Sequence, residues 1–534
     1  MELPRYRLWL AGFSLIVAWA GFSATHGQVA GLYHDDGIYA AVAKSLAAGE
    51  GYSIASLPTS PAQTKYPFLY SLVLSFIWKL DPRFPENLIL LKAFNVACLV
   101  GIFILSFVFY IRKVRKIEWD ALLFAILVVF NPVLFSFAEF LLSDVLFSLL
   151  ILVVLAFFSE IEEGNSTSLL RVAAFASLIG LIFLTKPAGL PLAIAGSLGF
   201  IVRRHYRSLL LYAVILLMIV SPWFWWVATH SGDVKNALFS YYVRHDHSHV
   251  ALISIWSNPT GAFEIIWANL NYIKDSLTYI LVMGRVPGLS IVVLALLALG
   301  SWRSFRKESV FLNSFILLYV FMLIVWPWHP LRYLLPMVPL VIFLFFQGIY
   351  GLRDFVAAIR CLGRWKTVSL AVAHVPLVFH VAFELIWLSH YLPRTAQQLV
   401  RLPYGIQVPY GLDGFAETFD WIKKNTDESA VLATAYDPTY YLYTGRKAIR
   451  PGFHKPESYF YPYGRANPDV GLASTVKKNL TELGADYLIV DRIAGFAEQS
   501  AQEKLMMELL QLYPRQPDLV FASQDSFHKV YALP

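Results

Sequence analysis

Two adjacent carboxylates, Asp35 and Asp36, stand in residues 33–39, just after the first apolar run of the chain and just before an amphipathic segment. Carboxylates are costly to desolvate at the mouth of a membrane span, so the pair needs a reason to be there. A chemical reason would be a general base, or an anchor for a metal ion or a substrate, held at the membrane surface. A structural reason would be a helix that begins at Gly37 and is capped by Asp36.

Charged side chains at three further corners of the chain could take part in the same chemistry. Lys65 is followed by Tyr66 and a proline, and Glu139 and Asp144 flank a turn before an apolar run. Lys186 precedes a proline between two short apolar runs. Each corner also has a structural interpretation. Asp144 could start a helix as its cap, and Lys186 could extend from a helix end toward the membrane interface.

A fourth corner places His329 and Arg332 ahead of an apolar run, within residues 326–336. The tryptophans and tyrosine of this segment are typical of the interfacial belt of any membrane protein. An arginine on the side of the membrane away from the cytoplasm is less expected. Because a guanidinium group binds phosphate through parallel hydrogen bonds, Arg332 is a candidate phosphate ligand.

Three alternating histidines, His245, His247 and His249, form a separate polar segment. Histidine is a common metal ligand, so the segment suggests a metal site. Alternation suits neither a tetrahedral structural site nor a pair one helical turn apart, and no further ligand is evident in the sequence. We interpret this segment as a flexible polar loop over the membrane face.

The elements that must position these residues are membrane helices. Of 534 residues, 57% are hydrophobic and only 15% are charged, whereas a soluble domain has about 25% charged residues. Apolar runs of about twenty residues recur before the C-terminal region, which is typical of a polytopic membrane protein. The net charge of +7 does not indicate nucleic-acid binding, because lysines and arginines cluster between apolar runs. Cys98 and Cys361 suggest neither a disulfide framework nor a zinc motif.

We predict about eleven transmembrane helices, from apolar runs of roughly 17–25 residues and from shorter runs bracketed by charges. In residue numbers they are 8–24, 88–111, 119–138, 143–159, 169–185, 189–202, 209–228, 277–300, 310–326, 333–350 and 367–389. Lysines and arginines cluster after the second, sixth, eighth and tenth runs. They fall on one side, together with Arg5 and Arg7, if residues 66–80 form an interfacial or re-entrant helix. The N-terminus is then cytoplasmic, the first helix is retained rather than cleaved, and the Asp35-Asp36 pair is external.

The predicted membrane part, residues 1–389, contains a long first external loop, residues 25–87. A stripe of apolar and small residues predicts a helix in this loop that lies along the membrane surface and ends at the following glycines. The stripe consists of Ile38, Ala41, Val42, Ser45 and Leu46.

The remaining residues, 390–534, have the composition of a soluble domain. Alternating helix and strand patterns predict a small external α/β domain. The predicted helices are 415–425, 470–483 and 499–513, and the predicted strands are 430–435, 486–490, 519–522 and 528–533. Because the domain has no glycine-rich phosphate loop, nucleotide binding is not predicted.

Taken together, the polar corners resemble the GT-C glycosyltransferases. The residues that carry the likeness are Asp35-Asp36 in a long first external loop, Lys65 before Tyr-Pro, Ser143-Asp144, Lys186-Pro187, and Arg332-Tyr333-Leu334-Leu335-Pro336. The likeness is strongest to the branch with the protein O-mannosyltransferases and the aminoarabinose transferases that modify lipid A. It implies a polyprenyl or dolichyl phosphate sugar donor, and transfer with inversion on the non-cytoplasmic face. The chain departs from those relatives in having Asp-Asp where Asp-Glu is usual, and Lys186 where arginine is common.

The resemblance also implies roles for the residues. Asp35 is the base that deprotonates an acceptor hydroxyl or amine, and Asp36 orients the acceptor or sugar or shares a metal ion. The cations that stabilise the departing phosphate are Lys65 and Arg332, with Lys186 third. The predicted substrate contacts are Asp144, Glu139, His329, Tyr66 and Tyr39. The carboxylates Asp36 and Asp144 could hold Mg²⁺ or Mn²⁺, although these branches do not generally need an ion, so a cofactor is left open.

Other functions remain open at this stage. A transporter or flippase of a lipid-linked substrate would also have many spans, but its charges would lie at mid-span and its halves would repeat. An O-antigen-ligase type of transferase would use a diphosphate-linked donor and a late external loop. A plain membrane anchor for the C-terminal domain would not need about eleven spans. The sequence names neither sugar nor acceptor, which could be protein, lipid or glycan. We expect a prokaryotic plasma membrane, since no retention motif ends the chain.

Overall fold

The structure is a computed structural model that describes residues 4–25, 29–114, 118–159, 161, 168–231, 239, 242–243, 259–282, 287–326, 329–358, 374–396, 400–401, 407–408, 412–451, 473–491 and 497–534. The segment with the three alternating histidines lies outside these residues, as does the first part of the predicted span 367–389.

Most described residues before position 397 are helical. The helices are α1 (Pro4–Thr25), α2 (Asp35–Ala48), α3 (Leu69–Leu80), α4 (Leu88–Val114), α5 (Glu118–Val129), α6 (Pro132–Phe137), α7 (Asp144–Phe158), α8 (Leu169–Thr185), α9 (Leu190–Val202), α10 (Tyr206–His230), α11 (Pro259–Val282), α12 (Pro287–Lys307), α13 (Val310–Val325), α14 (Pro330–Tyr333), α15 (Val338–Ala358) and α16 (Val375–Ala396). Two 3₁₀ turns, Pro187–Gly189 and Leu335–Met337, precede α9 and α15.

Among the described residues, six helices are long and apolar enough to cross a membrane. They are α1, α4, α10, α12, α15 with the preceding 3₁₀ turn, and α16. Six further apolar helices have only 10–17 residues, namely α3, α5, α7, α8, α9 with its 3₁₀ turn, and α13. The chain is therefore a helical membrane protein, and the number of about eleven spans stays a prediction.

One of the predicted spans does not exist as a single helix. The predicted span 119–138 breaks at Asn131, whose side chain accepts a hydrogen bond from the backbone N–H of Val133, so that Pro132 starts the new helix α6. In the predicted span 277–300, α11 is described up to Val282 and α12 from Pro287, and the four residues between them lie outside the described residues. Helix α11 moreover begins at Pro259, inside a segment that the charge pattern had placed in an external loop.

The surface helix of the first loop is also corrected. Helix α2 ends as predicted at Gly49, which adopts a left-handed conformation. Its residues Asp36 to Ala43 are nevertheless all buried, on every face of the helix. Helix α3 covers one side of α2, and a helix of the C-terminal domain covers another. The apolar stripe predicted the helix correctly, but it predicted burial against lipid where the structure has burial against protein.

The C-terminal domain is an α/β domain, as predicted. It contains the helices α17 (Leu412–Asn425), α18 (Asp437–Thr444), α19 (Ala473–Glu482) and α20 (Ala497–Leu512), and the strands β3 (Val431–Ala433), β4 (Lys447–Ile449), β5 (Tyr487–Asp491), β6 (Asp518–Ala522) and β7 (His528–Ala532). The five strands form one sheet in the order β4-β3-β5-β7-β6, parallel from β4 to β5 and antiparallel from β5 to β6. A separate pair, β1 (Val400–Arg401) and β2 (Gln407–Val408), is antiparallel.

Strand β4 and helix α18, which the sequence analysis did not identify, join this domain to the first loop. The backbone N–H of Ala448 donates to the carbonyl of Ser56 at 2.8 Å. The Lys447 ammonium donates to the carbonyl of Ala55 at 2.6 Å and to the hydroxyl of Ser60 at 2.9 Å. The two parts of the chain are therefore in direct contact next to the Asp35-Asp36 pair.

Candidate active site

Arg332 connects two carboxylates that are far apart in the chain. Its Nη1 donates to Oδ2 of Asp35 at 2.9 Å, and its Nη2 donates to Oδ2 of Asp144 at 2.9 Å. Its Nε lies 3.3 Å from both oxygens of Asp144. A planar guanidinium can make such contacts with two acids at once, whereas the single ammonium of lysine cannot fix both orientations.

Lys186 completes this group, and we call the four residues Asp35, Asp144, Lys186 and Arg332 the charged cluster. The Lys186 ammonium donates to Oδ1 of Asp144 at 2.6 Å. Only 1% of the Asp144 side chain is exposed, against 20% for Asp35 and 17% for Arg332. Two cations therefore neutralise the fully buried carboxylate, while Asp35 keeps part of its surface open.

Helix ends bring the charged cluster together. Asp35 is the first residue of α2 and Asp144 the first residue of α7, where the partial positive charge of a helix N-terminus favours a carboxylate. Lys186 stands at the break between α8 and the 3₁₀ turn, and Arg332 lies in the short α14. The cap interpretation of Asp144 is thus half correct, since the residue starts a helix while its carboxylate binds the two cations.

Asp35 is ionised and accepts one further hydrogen bond. The Tyr66 hydroxyl donates to its Oδ1 at 2.7 Å. Burial alone would raise the pKa of the Asp35 carboxyl, but the charges of Arg332 and Lys65 and the Tyr66 hydrogen bond hold it below its ordinary value. A carboxylate in this state can accept a proton at neutral pH.

Asp36 faces away from this group, contrary to its predicted place beside Asp35. Its oxygens accept hydrogen bonds from the backbone N–H groups of Gly31 at 2.8 Å and Tyr33 at 3.0 Å. Only 1% of the residue is exposed. Burial raises the pKa of Asp36 to about 6, although the backbone hydrogen bonds oppose the shift. Asp36 therefore shapes the turn before Asp35, and in this conformation it does not reach the charged cluster.

Lys65 lies close to the charged cluster. Its backbone N–H donates to the side-chain oxygen of Gln63, and its ammonium lies 5.4 Å from the Tyr66 ring centroid. Burial lowers the pKa of Lys65 to about 8, against the opposing effect of the Asp35 charge, while Arg450 and Arg332 add to the lowering. The predicted phosphate cations Lys65, Lys186 and Arg332 thus surround the two acids.

Aromatic rings line the same region. The Tyr39 hydroxyl lies 3.1 Å from the Ser143 hydroxyl, and the Tyr39 ring packs at a tilt against the Tyr66 ring, with a centroid distance of 5.0 Å. Tyr33 lies under the Arg332 guanidinium at 5.0 Å, and Tyr333 under the Lys186 ammonium at 4.8 Å. These contacts stabilise the cations in place without neutralising them.

The two remaining predicted substrate residues are not part of the charged cluster. Nδ1 of His329 accepts a hydrogen bond from the backbone N–H of Leu331 at 3.3 Å, which caps α14, and its ring packs 4.6 Å from Tyr272. Burial lowers the pKa of His329 below its ordinary value. Glu139 is 2% exposed and interacts electrostatically with Lys92, whose ammonium donates to the carbonyl of Thr25.

The donor set does not fit the Mg²⁺ or Mn²⁺ ion that Asp36 and Asp144 were predicted to share. A hard cation needs several oxygen ligands with free lone pairs. Asp144 instead accepts from two cationic side chains, and Asp36 accepts from two backbone amides. In the part of the chain that the structure describes, no group of three or more histidine, cysteine or acidic residues could hold a metal ion.

Sequence reasoning missed two supporting contacts. Asn95 of α4 donates to the carbonyl of Phe140 at 2.6 Å and accepts from the Tyr70 hydroxyl, so it holds the corner before Asp144. An asparagine inside a predicted span is a visible signal, because such residues form functional or structural hydrogen bonds in membranes. His34 lies 3.2 Å from Asp437 of the C-terminal domain, and no sequence signal links two residues so distant in the chain.

Comparison with solved structures shows the fold. ArnT from Cupriavidus metallidurans bound to undecaprenyl phosphate matches with a TM-score of 0.55 and 15% identity, over 99% of this chain and 98% of that chain. Its apo state matches at 0.54 and 15% identity, over 100% and 98%. The Archaeoglobus fulgidus oligosaccharyltransferase tethered with an acceptor peptide matches at 0.52 and 12% identity, over 90% and 69%. No protein-family model and no curated protein matches the chain. The predicted resemblance to GT-C glycosyltransferases is confirmed at the level of the fold.

Proposed function

We propose that the chain is a membrane glycosyltransferase that moves a sugar from a polyprenyl monophosphate to an acceptor, with inversion, on the non-cytoplasmic face. The observation that carries this proposal is the contact of one arginine, Arg332, with both Asp35 and Asp144 in a chain with the fold of ArnT. The ArnT structure with undecaprenyl phosphate supports a lipid phosphate as the leaving group. The acceptor-tethered oligosaccharyltransferase supports an acceptor site in this fold.

Asp35 is the base in this mechanism. The acceptor oxygen or nitrogen attacks the anomeric carbon, the bond from that carbon to the phosphate oxygen breaks, and the acceptor proton passes to Asp35. Attack from the face opposite the leaving group inverts the anomeric carbon, as in inverting glycosidases. Arg332 and Tyr66 hold one oxygen of Asp35 each, which fixes the orientation of the carboxylate.

Cations beside Asp35 stabilise the leaving group. Lys65, Lys186 and Arg332 carry three positive charges against the two negative charges of Asp35 and Asp144. One positive charge is left over, which matches the single negative charge of a sugar phosphodiester. When the sugar departs, the lipid phosphate gains a second negative charge, and fixed cations stabilise it more strongly than they stabilise the donor.

The other predicted residues take supporting parts in this proposal. Tyr39 and Tyr66 line the sugar position with their rings and hydroxyl groups. Asp36 positions Asp35 by holding the preceding turn. Glu139 interacts electrostatically with Lys92 outside the charged cluster. His329 caps α14, the short helix that contains Arg332. No step requires a metal ion. We place the protein in the plasma membrane of a prokaryote, with the C-terminal domain outside the cytoplasm.

The test is sugar transfer in reconstituted vesicles. Purified protein is offered a panel of polyprenyl-linked sugars, each as the monophosphate and as the diphosphate, with protein, lipid and glycan acceptors. We expect consumption of a monophosphate donor and a product of inverted anomeric configuration by NMR. Consumption of diphosphate donors only would indicate a ligase-type enzyme. Lipid crossing the bilayer without sugar transfer would overturn the proposal in favour of a transporter.

A further inference from the structure

The turn that precedes Asp35 packs tightly against helix α18 of the C-terminal domain. We call residues 30–37 the Asp35 loop. A Cβ atom at Gly31 would lie 2.5 Å from the Thr439 hydroxyl, and a Cβ atom at Gly37 would lie 2.5 Å from Cβ of Pro438. Only glycine fits at such distances. The loop therefore cannot move toward α18, and its position depends on where α18 lies.

Inside this contact, His34 has a strained backbone. Its φ of 67° and ψ of −62° lie in a region that residues with a side chain rarely adopt. His34 directly precedes Asp35, and its backbone N–H donates to the carbonyl of Gly31 at 3.0 Å. Such a conformation persists only where the surroundings over-determine it, and it is typical of functional sites.

The side chain of His34 supplies that constraint from the C-terminal domain. Its Nε2 lies 3.2 Å from Oδ1 of Asp437, the first residue of α18. His34 is 8% exposed and Asp437 is fully buried. The ring of Tyr242 packs on the other part of the imidazole at 5.5 Å. The buried carboxylate therefore lies at ion-pair distance from the residue that precedes Asp35.

We propose that Asp437 is a positioning residue for sugar transfer, which acts through His34 to hold the Asp35 carboxylate against the acceptor. The C-terminal domain then contributes a positioning residue to the site. This inference rests on the proposed function, because it assigns Asp437 a role in orienting the base. A base that is misplaced by about 1 Å lowers the rate of transfer by about 100-fold, while the donor still binds.

The experiment compares the full-length variants Asp437→Asn, His34→Asn and His34→Gln with wild type. Transfer kinetics, donor binding and thermal unfolding are measured for each. We expect kcat to fall about 10- to 100-fold in Asp437→Asn and His34→Asn, with the donor dissociation constant within about twofold of wild type. In His34→Gln, the amide nitrogen reaches the position of Nε2, so we expect recovery of at least part of kcat. The double variant Asp437→Asn with His34→Asn is expected to lose no more kcat than the slower of the two single variants. The effects of substitutions at contacting residues are not additive.

The matched control is Lys447→Met, which removes polar contacts from the same interface without touching the Asp35 loop. Its kcat is expected to stay within about twofold of wild type. The inference is wrong if Lys447→Met lowers kcat as much as Asp437→Asn, if His34→Gln is as slow as His34→Asn, or if donor binding is lost in parallel with kcat. If Asp437→Asn fails to fold, the two His34 variants decide. A wild type that transfers no sugar would instead contradict the proposed function itself.

Discussion

At the scale of single residues, Arg332 stabilises the ionised forms of Asp35 and Asp144, which lie in a largely buried site. It contacts both Asp35 and Asp144, and Asp144 has one other cationic partner, Lys186, among the residues that the structure describes. Removing one partner from a buried ion pair leaves an uncompensated charge, which destabilises a protein far more than loss of an exposed pair. Arg332 therefore matters both for the fold around the site and for the reaction.

We predict that Arg332→Ala abolishes transfer and lowers the free energy of unfolding by about 3–5 kcal/mol. Arg332→Lys keeps the charge but contacts only one acid well, so we expect transfer to fall at least about 100-fold with a smaller loss of stability. The control is Arg83→Ala, which removes an exposed pair with Asp81. Unfolding in detergent and vesicle assays measure both effects. Equal stability of Arg332→Ala and Arg83→Ala would contradict the buried cluster.

We predict that Lys65 makes the use of the proposed donor depend on pH. Burial lowers the pKa of Lys65 to about 8, so the side chain is charged below pH 8 and loses its positive charge as pH rises through 8. If Lys65 binds the donor phosphate, kcat/KM declines above about pH 8, and the decline approaches tenfold per pH unit. This parameter reports the pKa values of groups in the free enzyme. Arginine stays charged there, so Lys65→Arg is expected to lose this alkaline decline. An identical decline in both proteins would exclude Lys65 as its source.

The sequence predicted which residues belong to the site better than it predicted which partners their side chains contact. Asp35, Lys65, Asp144, Lys186 and Arg332 were all predicted from their places in the chain together with the resemblance to GT-C glycosyltransferases, and the structure brings them together. The orientation of Asp36 could not be predicted, because adjacent residues at a helix start point in different directions. Glu139 and His329 lie at the predicted corners, but their side chains face other partners.

At the scale of elements, the Asp35 loop is constrained from two sides. The two oxygens of Asp36 bind the backbone of Gly31 and Tyr33, and Gly31 has a φ of 95° against Thr439. The loop is thus held from within by Asp36 and from outside by α18. The position of Asp35 at the end of the loop follows from both constraints.

We predict that Gly31→Ala lowers transfer at least about tenfold, because the new Cβ collides with α18 and shifts the loop. The matched control is Gly49→Ala at the end of α2. Gly49 also has a positive φ, of 80°, but no atom lies within 4 Å of its added Cβ. Gly49→Ala is expected to carry only the backbone penalty, about 1 kcal/mol, and to keep near-normal transfer. Equal losses in both variants would mean that α18 does not constrain the loop.

Element types were predictable where periodicity and strand composition decide them. The helices and strands predicted after residue 411 are confirmed, with errors of a few residues at the ends, whereas α18 and β4 were missed. The break at Asn131 was missed, because hydrophobicity alone does not register the loss of a backbone hydrogen bond at proline. The burial of α2 depends on a domain roughly 400 residues later in the chain, so its own sequence could not indicate it.

At the scale of the whole molecule, the helix bundle has two chemically different ends. The end opposite the charged cluster gathers the C-terminal ends of α4, α12 and α15. There Lys113 pairs with Glu308 at 2.6 Å, and Arg303 pairs with Asp354 at 2.6 Å. Basic residues are retained on the cytoplasmic side of membranes. We therefore propose that the charged cluster lies at the outer end of the bundle, where α18 of the C-terminal domain contacts the Asp35 loop.

This orientation predicts the labelling of single cysteines. In a background with Cys98→Ala and Cys361→Ala, Glu428→Cys in the C-terminal domain reacts with a membrane-impermeant thiol reagent added to intact cells. Arg203→Cys, after α9, reacts only after the cells are opened. Both positions are exposed, so access to water on one side of the membrane decides the result. Labelling of Arg203→Cys in intact cells would reverse the proposed topology.

The most direct test of the account is the single-turnover rate of sugar transfer by Asp35→Asn with donor already bound. The variant keeps the size of the side chain and loses the ability to accept a proton. We expect a rate about 100- to 10,000-fold below wild type, with the donor bound at least as tightly as by wild type. The control Asp81→Asn makes the same substitution elsewhere in the predicted first external loop, residues 25–87. It is expected to react at the wild-type rate. A near-normal rate for Asp35→Asn would contradict the central claim and direct attention to Asp144.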